Sequence, residues 1–469
     1  MPDLLTLSSP LWYIAAAAFA GVVYIGLRMA ARSRTSDGGT DAYQTISLPD
    51  APGQIALQDW MTDPRTTDVF DAIEAAGGEV RFVGGCVRDA VLKLPIGDID
   101  LATTLAPEAT MAACQRAGMK VVPTGIQHGT VTCISGGQPF EVTTLRTDEE
   151  TDGRHARVAF TDDWKADAAR RDFTMNALSM TRDGMIYDYF NGLRDLAERN
   201  VIFIGDPNER IAEDYLRILR FFRFTGRYGR IPPAIAALSA CRRAAEHIDD
   251  LSGERIRQEM LKLLSQRSPA LVLELMADEH ILDRVMPVRP HIGMLNGMVW
   301  LETRAMGTDR LTADPIRRLA ATLHGERDAA ADLADRWRLS NADRKRLLDL
   351  VVPDDDIATD MSDETSREKL FHFDSDGFAD RVLLTWAREI DHSKHPDNAA
   401  WRRLYEFAAG EAEPVFPVGG KHLVAAGVPA GPEVGRLLAR LERFWLDRNC
   451  EPDQVALMAE LERMRKSAE

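Results

Sequence analysis

The stretch Arg81-Phe82-Val83-Gly84-Gly85-Cys86-Val87-Arg88-Asp89-Ala90-Val91-Leu92-Lys93-Leu94-Pro95-Ile96-Gly97-Asp98-Ile99-Asp100-Leu101 decides how the rest of the chain is read. Phe82-Val83 is a short apolar run, and Val87 to Leu94 has helical spacing. A strand, a glycine pair and a helix in succession bring bare backbone N–H groups to a helix N-terminus, where an anion can sit. Asp98 and Asp100 flank Ile99 in an alternating run. On a strand, positions i and i+2 point to one side. Two carboxylates facing one point, together with phosphate oxygens, satisfy a magnesium ion. The pattern predicts nucleotide chemistry assisted by a metal.

Working outward, the spacing predicts a helix over 66–77 that ends at Gly77-Gly78, and strands over 80–84 and 98–102. A helix over 107–117 follows, with Pro107 at its start and Gly118 past its end. Strands are predicted at 119–122, 129–134 and 139–145. The expectation is an α+β head with a mixed sheet of four or five strands. Thr124 to Thr130 reads as a polar, Gly-flanked turn. Glu141 lies in an alternating strand. Beside the Asp98–Asp100 strand it would be a third acid, binding metal or taking a proton from an attacking hydroxyl; otherwise it is an exposed strand glutamate. Residues 147–165 read as a long mobile loop. After it, Arg170 and Arg171 can meet phosphate, and Asp172 and Asn176 fall four apart on a helix face.

Residues 209–224 read as one helix in which Arg217, Arg220 and Arg223 recur every three positions, with Glu213 and Asp214 a turn before Arg217. The plain reading is a solvated stripe with a Glu213–Arg217 pair. The functional reading has Asp214 accepting and Arg217 donating hydrogen bonds at the edge of a base, while Arg220 and Arg223 hold phosphates. The net charge of −16 over 469 residues excludes a protein that coats nucleic acid non-specifically, though not a local basic groove. Five scattered cysteines without a CxxC fit a reducing compartment. Residues 4–27 carry no charge and Arg28, Arg32 and Arg34 follow. They read either as a membrane anchor holding the protein at the cytoplasmic face, or as an Ala-rich segment that never inserts.

With these residues in view, the chain resembles the class II tRNA nucleotidyltransferases, the CCA-adding enzymes of the polymerase-beta-like nucleotidyltransferase superfamily. The resemblance rests on Gly84 to Asp89, Asp98-Ile99-Asp100, Thr124 to Thr130 and Glu141-Val142-Thr143-Thr144. Arg170-Arg171-Asp172-Phe173-Thr174-Met175-Asn176, Glu213-Asp214-Tyr215-Leu216-Arg217 and Leu251-Ser252-Gly253-Glu254-Arg255-Ile256 continue it in family order. The resemblance implies that Asp98 and Asp100 bind Mg²⁺ and that Gly85, Arg88, Arg171, Arg220 and Arg223 contact the incoming nucleotide. It implies that Asp214 and Arg217 serve as a protein template for cytosine and then adenine, and that Asp172 and Asn176 lie at the ribose. The tRNA 3′-hydroxyl would attack the α-phosphate of CTP or ATP, with two metal ions polarising the attacking and leaving oxygens.

The domains expected are a candidate anchor (1–35), a linker (36–58), a catalytic head (59–200), a helical neck that binds base and RNA (201–267) and an all-helical body and tail that bind tRNA (268–469). Arg336, Arg338, Arg344, Lys345 and Arg346 form a basic cluster that is either a solvated helix surface or a grip on the tRNA backbone. Leu319 to Gly325 lacks the aspartate after His324 that a phosphohydrolase would need, so no such activity is expected. The competing readings are poly(A) polymerase, a non-catalytic membrane-tethered RNA-binding protein, and a nucleotidyltransferase acting on an antibiotic.

Overall fold

A computed structural model describes residues 53–148, 158–306, 311–393 and 396–466. The chain forms two compact units, one running to Glu213 and including Tyr228–Ala240, the other comprising Asp214–Arg227 and the chain from Cys241 onward.

The first unit is built on a seven-stranded mixed sheet in the order β3-β4-β5-β2-β1-β8-β9. The strands are β1 (Val80–Val83), β2 (Asp100–Thr103), β3 (Lys120–Gly125), β4 (Thr130–Ser135), β5 (Gln138–Thr144), β8 (Ser179–Met180) and β9 (Ile186–Tyr187). The sheet exceeds the four or five strands expected because β8 and β9, at two residues each, carry no alternating pattern to read. All four residues of β1 are buried, as a central strand requires. Helices α1 (Asp59–Thr62) and α2 (Pro64–Ala75) cover it. Asp63 accepts from the Arg65 amide at 2.8 Å and Pro64 supplies the first helical φ, so α2 starts there. Trp60 and Phe70 each pack on Phe82 with ring centroids 4.7 Å apart.

Helix α3 (Gly85–Val91) follows β1 and is shorter than the Val87–Leu94 reading, while α4 (Pro107–Arg116) matches its Pro and Gly signals. β2 begins at Asp100, so Asp98 and Ile99 precede the strand; burial still alternates, with Asp98 exposed, Ile99 buried and Asp100 half-buried. The loop expected over 147–165 is partly regular: β6 (Arg146–Asp148) pairs antiparallel with β7 (Val158–Phe160), and α5 (Trp164–Ala169) starts on an Asp163 cap. Its middle, 149–157, lies outside the described residues. Asp172 to Asn176 is not on an α-helix but leads into a 3₁₀ turn at Thr174–Asn176. After α6 (Gly192–Ala197), the helix expected over 209–224 is two helices, α7 (Pro207–Glu213) and α8 (Leu216–Tyr228). Asp214 breaks it because its carboxylate accepts from the Leu216 amide at 3.1 Å, which starts a new helix.

The second unit is helical throughout its described residues beyond α9 (Ile235–Arg243), with α10 (Gly253–Leu264) and α11 (Pro269–Asp278) followed by helices to Lys466. The long helix Asp363–His392 is broken at Asp374, whose φ is 60°. Leu423, Leu437, Leu441, Trp445, Leu457 and Leu461 form a separate tail core. Every member of the basic cluster is engaged by acid: Arg336 by Asp249, Arg338 by Glu254, Arg344 by Asp335, Lys345 by Asp349, and Arg346 by Asp314 and Asp380. The candidate anchor at 4–27 lies outside the described residues, among which no helix is long and apolar enough to cross a membrane.

Candidate active site

The turn from β1 into α3 needs glycine at 84: φ is 71° and ψ −122°, and an added Cβ would lie 3.1 Å from Arg171 Nη1. The missing side chain lets the Arg171 guanidinium reach the turn. Asp167 holds that guanidinium (3.2 Å) and also Arg170 (2.9 Å). Burial opposes ionisation of Asp167, but Arg171 and Arg170 outweigh it and keep its carboxyl below the usual range.

Across the sheet, β2 and β5 are parallel and Asp100 lies opposite Glu141 in register. The conditional expectation for Glu141 therefore holds as to position. Burial first, then the Glu141 carboxylate, and more weakly Asp98, push the Asp100 carboxyl above its usual range; Arg171 pulls the other way. Asp98, Asp100, Glu141 and Arg171 thus act electrostatically at one place. Cys86 ties the glycine turn to it, its thiol donating to the Val83 carbonyl (3.3 Å) and the Asp100 carbonyl (3.7 Å). Burial pushes the Cys86 thiol up to about 12. Among the described residues no three His, Cys, Asp or Glu side chains form a cage that could hold a metal by themselves. A carboxylate pair with excess negative charge and one nearby arginine suits a divalent cation whose shell is completed by substrate phosphate and water.

Arg88 lies on α3 and is buried. It donates to Asp89 (2.8 Å) and to Asn176 Oδ1 (2.6 Å), and stacks over Tyr228 at 4.1 Å. Asn176 in turn donates to Asp172 Oδ1 (2.9 Å), and the Tyr228 hydroxyl to Asp89 (3.0 Å). Asp172 and Asn176 meet in this buried chain, and not on the helix face that their spacing suggested. Tyr228 and Asp89 had no assigned role in the sequence; no local pattern links Tyr228 to the glycine turn.

In the second unit, α8 carries Arg217, Arg220 and Arg223, and α10 packs complementary charge against it. Arg255 donates to Asp214 Oδ2 at 2.8 Å. One helical turn on, buried Glu259 meets Arg223 at 2.5 Å and Arg220 at 3.6 Å. Sequence reading missed this bracket. Its signal was the i, i+4 spacing of Arg255 and Glu259, opposite in sign to the residues they meet.

Residues 80–202 match the family model described as the poly A polymerase head domain, and residues 234–290 the one described as the probable RNA and SrmB-binding site of polymerase A. The chain is 33% identical over 392 residues to the mitochondrial CCA tRNA nucleotidyltransferase 1 of Homo sapiens, covering 81% of this chain and 86% of that protein. It is 31% identical over 396 residues to the CCA-adding enzyme of Limosilactobacillus fermentum, covering 83% of this chain and 94% of that one. Its fold is similar to that of the Bacillus stearothermophilus CCA-adding enzyme solved with CTP, at 27% identity and a TM-score of 0.66, over 87% of this chain and 99% of that chain. The chain belongs to the CCA-adding enzymes, the class II tRNA nucleotidyltransferases.

Proposed function

We propose that this protein adds C, C and A to the 3′ end of tRNA from CTP and ATP, without a nucleic-acid template, and that its divalent cation is Mg²⁺. The observation that carries the reading is the register of β2 on β5, which sets Asp100 beside Glu141 with Asp98 and Arg171 in electrostatic reach. Asp98 and Asp100 hold the metal, which when bound lowers the barrier by offsetting charge on the attacking and leaving oxygens. Glu141 either completes the metal's ligands or accepts the proton of the attacking hydroxyl. Arg171 and the amides beyond Gly84 receive triphosphate oxygens. Arg88 contributes by fixing Asn176 and Asp172, which place the ribose. Asp214 and Arg217 present acceptor and donor to the base edge, and Arg220 and Arg223 add charge for phosphate. In this reading 59–200 is the head, 201–267 the neck and 268–469 the body and tail.

The test uses purified protein and tRNA that lacks its last three nucleotides. Two CMP and one AMP are expected, after which addition stops. Runaway AMP addition would replace this reading with poly(A) polymerase. Asp98→Ala and Asp100→Ala are each expected to abolish incorporation, and retained activity in either would remove its metal role.

A further inference from the structure

The groups assigned to the triphosphate and the group assigned to the attacking hydroxyl lie on different sides of Asp100. The Gly84 turn, with Arg171 against it, follows β1, one neighbour of β2 in the sheet. Glu141 is on β5, the other neighbour. In phosphoryl transfer the attacking and leaving oxygens lie roughly in line through phosphorus. With pyrophosphate leaving toward β1, the attacking 3′ end has to come in over β5 and the next strand, β4.

The outward face of those two strands carries hydroxyls. β4 pairs antiparallel with β5, so that Thr132 stands opposite Glu141 and Thr130 opposite Thr143. Side chains paired in register share a face. Asp100, Glu141 and Thr132 therefore form one row across β2, β5 and β4. Thr130 Oγ1 lies 3.0 Å from Thr143 Oγ1, and Thr132 Oγ1 lies 2.8 Å from Thr124 Oγ1 on β3. Thr132 is half-buried and Glu141 exposed, so both are open to a substrate on this face.

Threonine pairs across strands also steady a sheet, which is enough to account for Thr130 and Thr143. It does not account for where Thr132 stands, beside Glu141 on the side from which the 3′ end arrives. A hydroxyl has one proton and two lone pairs. One proton closes the contact between Thr124 and Thr132, and the pair keeps a second to donate, with lone pairs left to accept. That suits another hydroxyl, which is itself donor and acceptor. A phosphate calls for positive charge instead. The attacking 3′-hydroxyl has such a neighbour, the 2′-hydroxyl on the adjacent ribose carbon. Neighbouring strands are about 4.8 Å apart, so a ribose held at Glu141 has its second hydroxyl within reach of β4.

We propose that Thr132 is a specificity-determining residue for the sugar that reacts. Its hydroxyl, held by Thr124, hydrogen-bonds the 2′-hydroxyl of the terminal ribose on the RNA being extended, selecting a ribose end and setting the 3′-hydroxyl toward Glu141. The proposal rests on the reading of the chain as a tRNA nucleotidyltransferase and adds to it the recognition of the attacking sugar.

The experiment uses the full chain, ATP, and tRNA lacking only its last nucleotide, made with either ribose or 2′-deoxyribose at the 3′ end. Both ends keep the 3′-hydroxyl. The wild type is expected to favour the ribose end about tenfold in kcat/KM for the tRNA, the scale of one hydrogen bond. Thr132→Val keeps the shape and the strand preference but deletes the hydroxyl. It is expected to bring the ratio to about one by losing rate on the ribose end alone, with the KM for ATP unchanged. Thr132→Ser should restore the ratio. A wild-type ratio in Thr132→Val overturns the proposal, as does an equal loss on both ends, which would make the residue structural. A wild type indifferent to the 2′-hydroxyl overturns it without any variant. Endless AMP addition by the wild type would overturn the functional reading instead. The ratio in Thr132→Val would still decide the role of Thr132, because a 3′-terminal ribose attacks in either reaction.

Discussion

Asp100 faces Glu141 across the β2–β5 pair, and its ionisation is opposed by burial first and then by Glu141. A carboxyl raised in the folded state contributes stability that is full below the unfolded value and lost as pH rises through the folded one. At neutral pH, Asp100 therefore works against the fold for the sake of the site. Asp100→Asn is expected to raise the melting temperature at pH 7 by roughly 2 °C. The gain should shrink as pH is lowered into the carboxylate range, and calorimetry across that range checks it. The same variant should lose incorporation on the order of a thousandfold, the scale of removing a charge contact to a transition state. An unchanged melting temperature at pH 7 would show that Glu141 and burial do not strain Asp100. The acid pair itself was legible in the sequence. Its neighbour Glu141 was legible only conditionally, because strand order is not written in either strand.

The pairing of α8 with α10 shows how an element is held to its task. Glu259 is 4% exposed and binds two arginines. Removing one partner of a buried ionic group leaves the others uncompensated, so Glu259→Ala is expected to cost about 3 kcal/mol, measured by urea denaturation. Glu259→Gln keeps an acceptor but not the charge. It should raise the KM for CTP and ATP together, by about tenfold, a loss of about 1.4 kcal/mol, with a smaller effect on kcat. A fall in kcat alone would assign Glu259 a different role. The periodicity of 209–224 was read correctly as helical, but its break at Asp214 was not. The capping bond that makes the break comes from the same carboxylate that the sequence reading had assigned only to base recognition.

In the second unit as a whole, a buried network ties Glu302 to Arg317 (2.7 Å) and Arg318 (2.5 Å), and Asp380 to Arg317 (2.8 Å) and Arg346 (2.6 Å). Glu302→Ala is expected to cost about 3–5 kcal/mol, read from the denaturation midpoint. A change under about 1 kcal/mol would mean that the network relaxes around the gap. His324 sets a pH response of the same unit. Burial first, then Arg388, hold it near 4, below its unfolded value of 6.5. The unfolded chain takes up that proton first, so stability is full above about 6.5 and falls as pH drops toward 4. His324→Gln should remove that part of the slope, and melting curves from pH 7 to pH 4.5, roughly the span over which the two states differ, would test it.

The strand–glycine–helix turn, the spacing of Asp98 and Asp100, the alternation of β5 and the order of the family motifs were legible in the sequence alone. Each is a local matter: backbone conformations open to glycine, side-chain period, and carboxylate spacing are fixed by residues a few positions apart. The Asp100–Glu141 register, the Arg88–Asn176–Asp172 chain and the Arg255 and Glu259 bracket were decided only by tertiary structure. So was the placement of positive charge. The conspicuous basic run at 336–346 is neutralised by acids remote in sequence. A charge acts through its neighbours in space and its distance from water, and neither is a property of the local sequence.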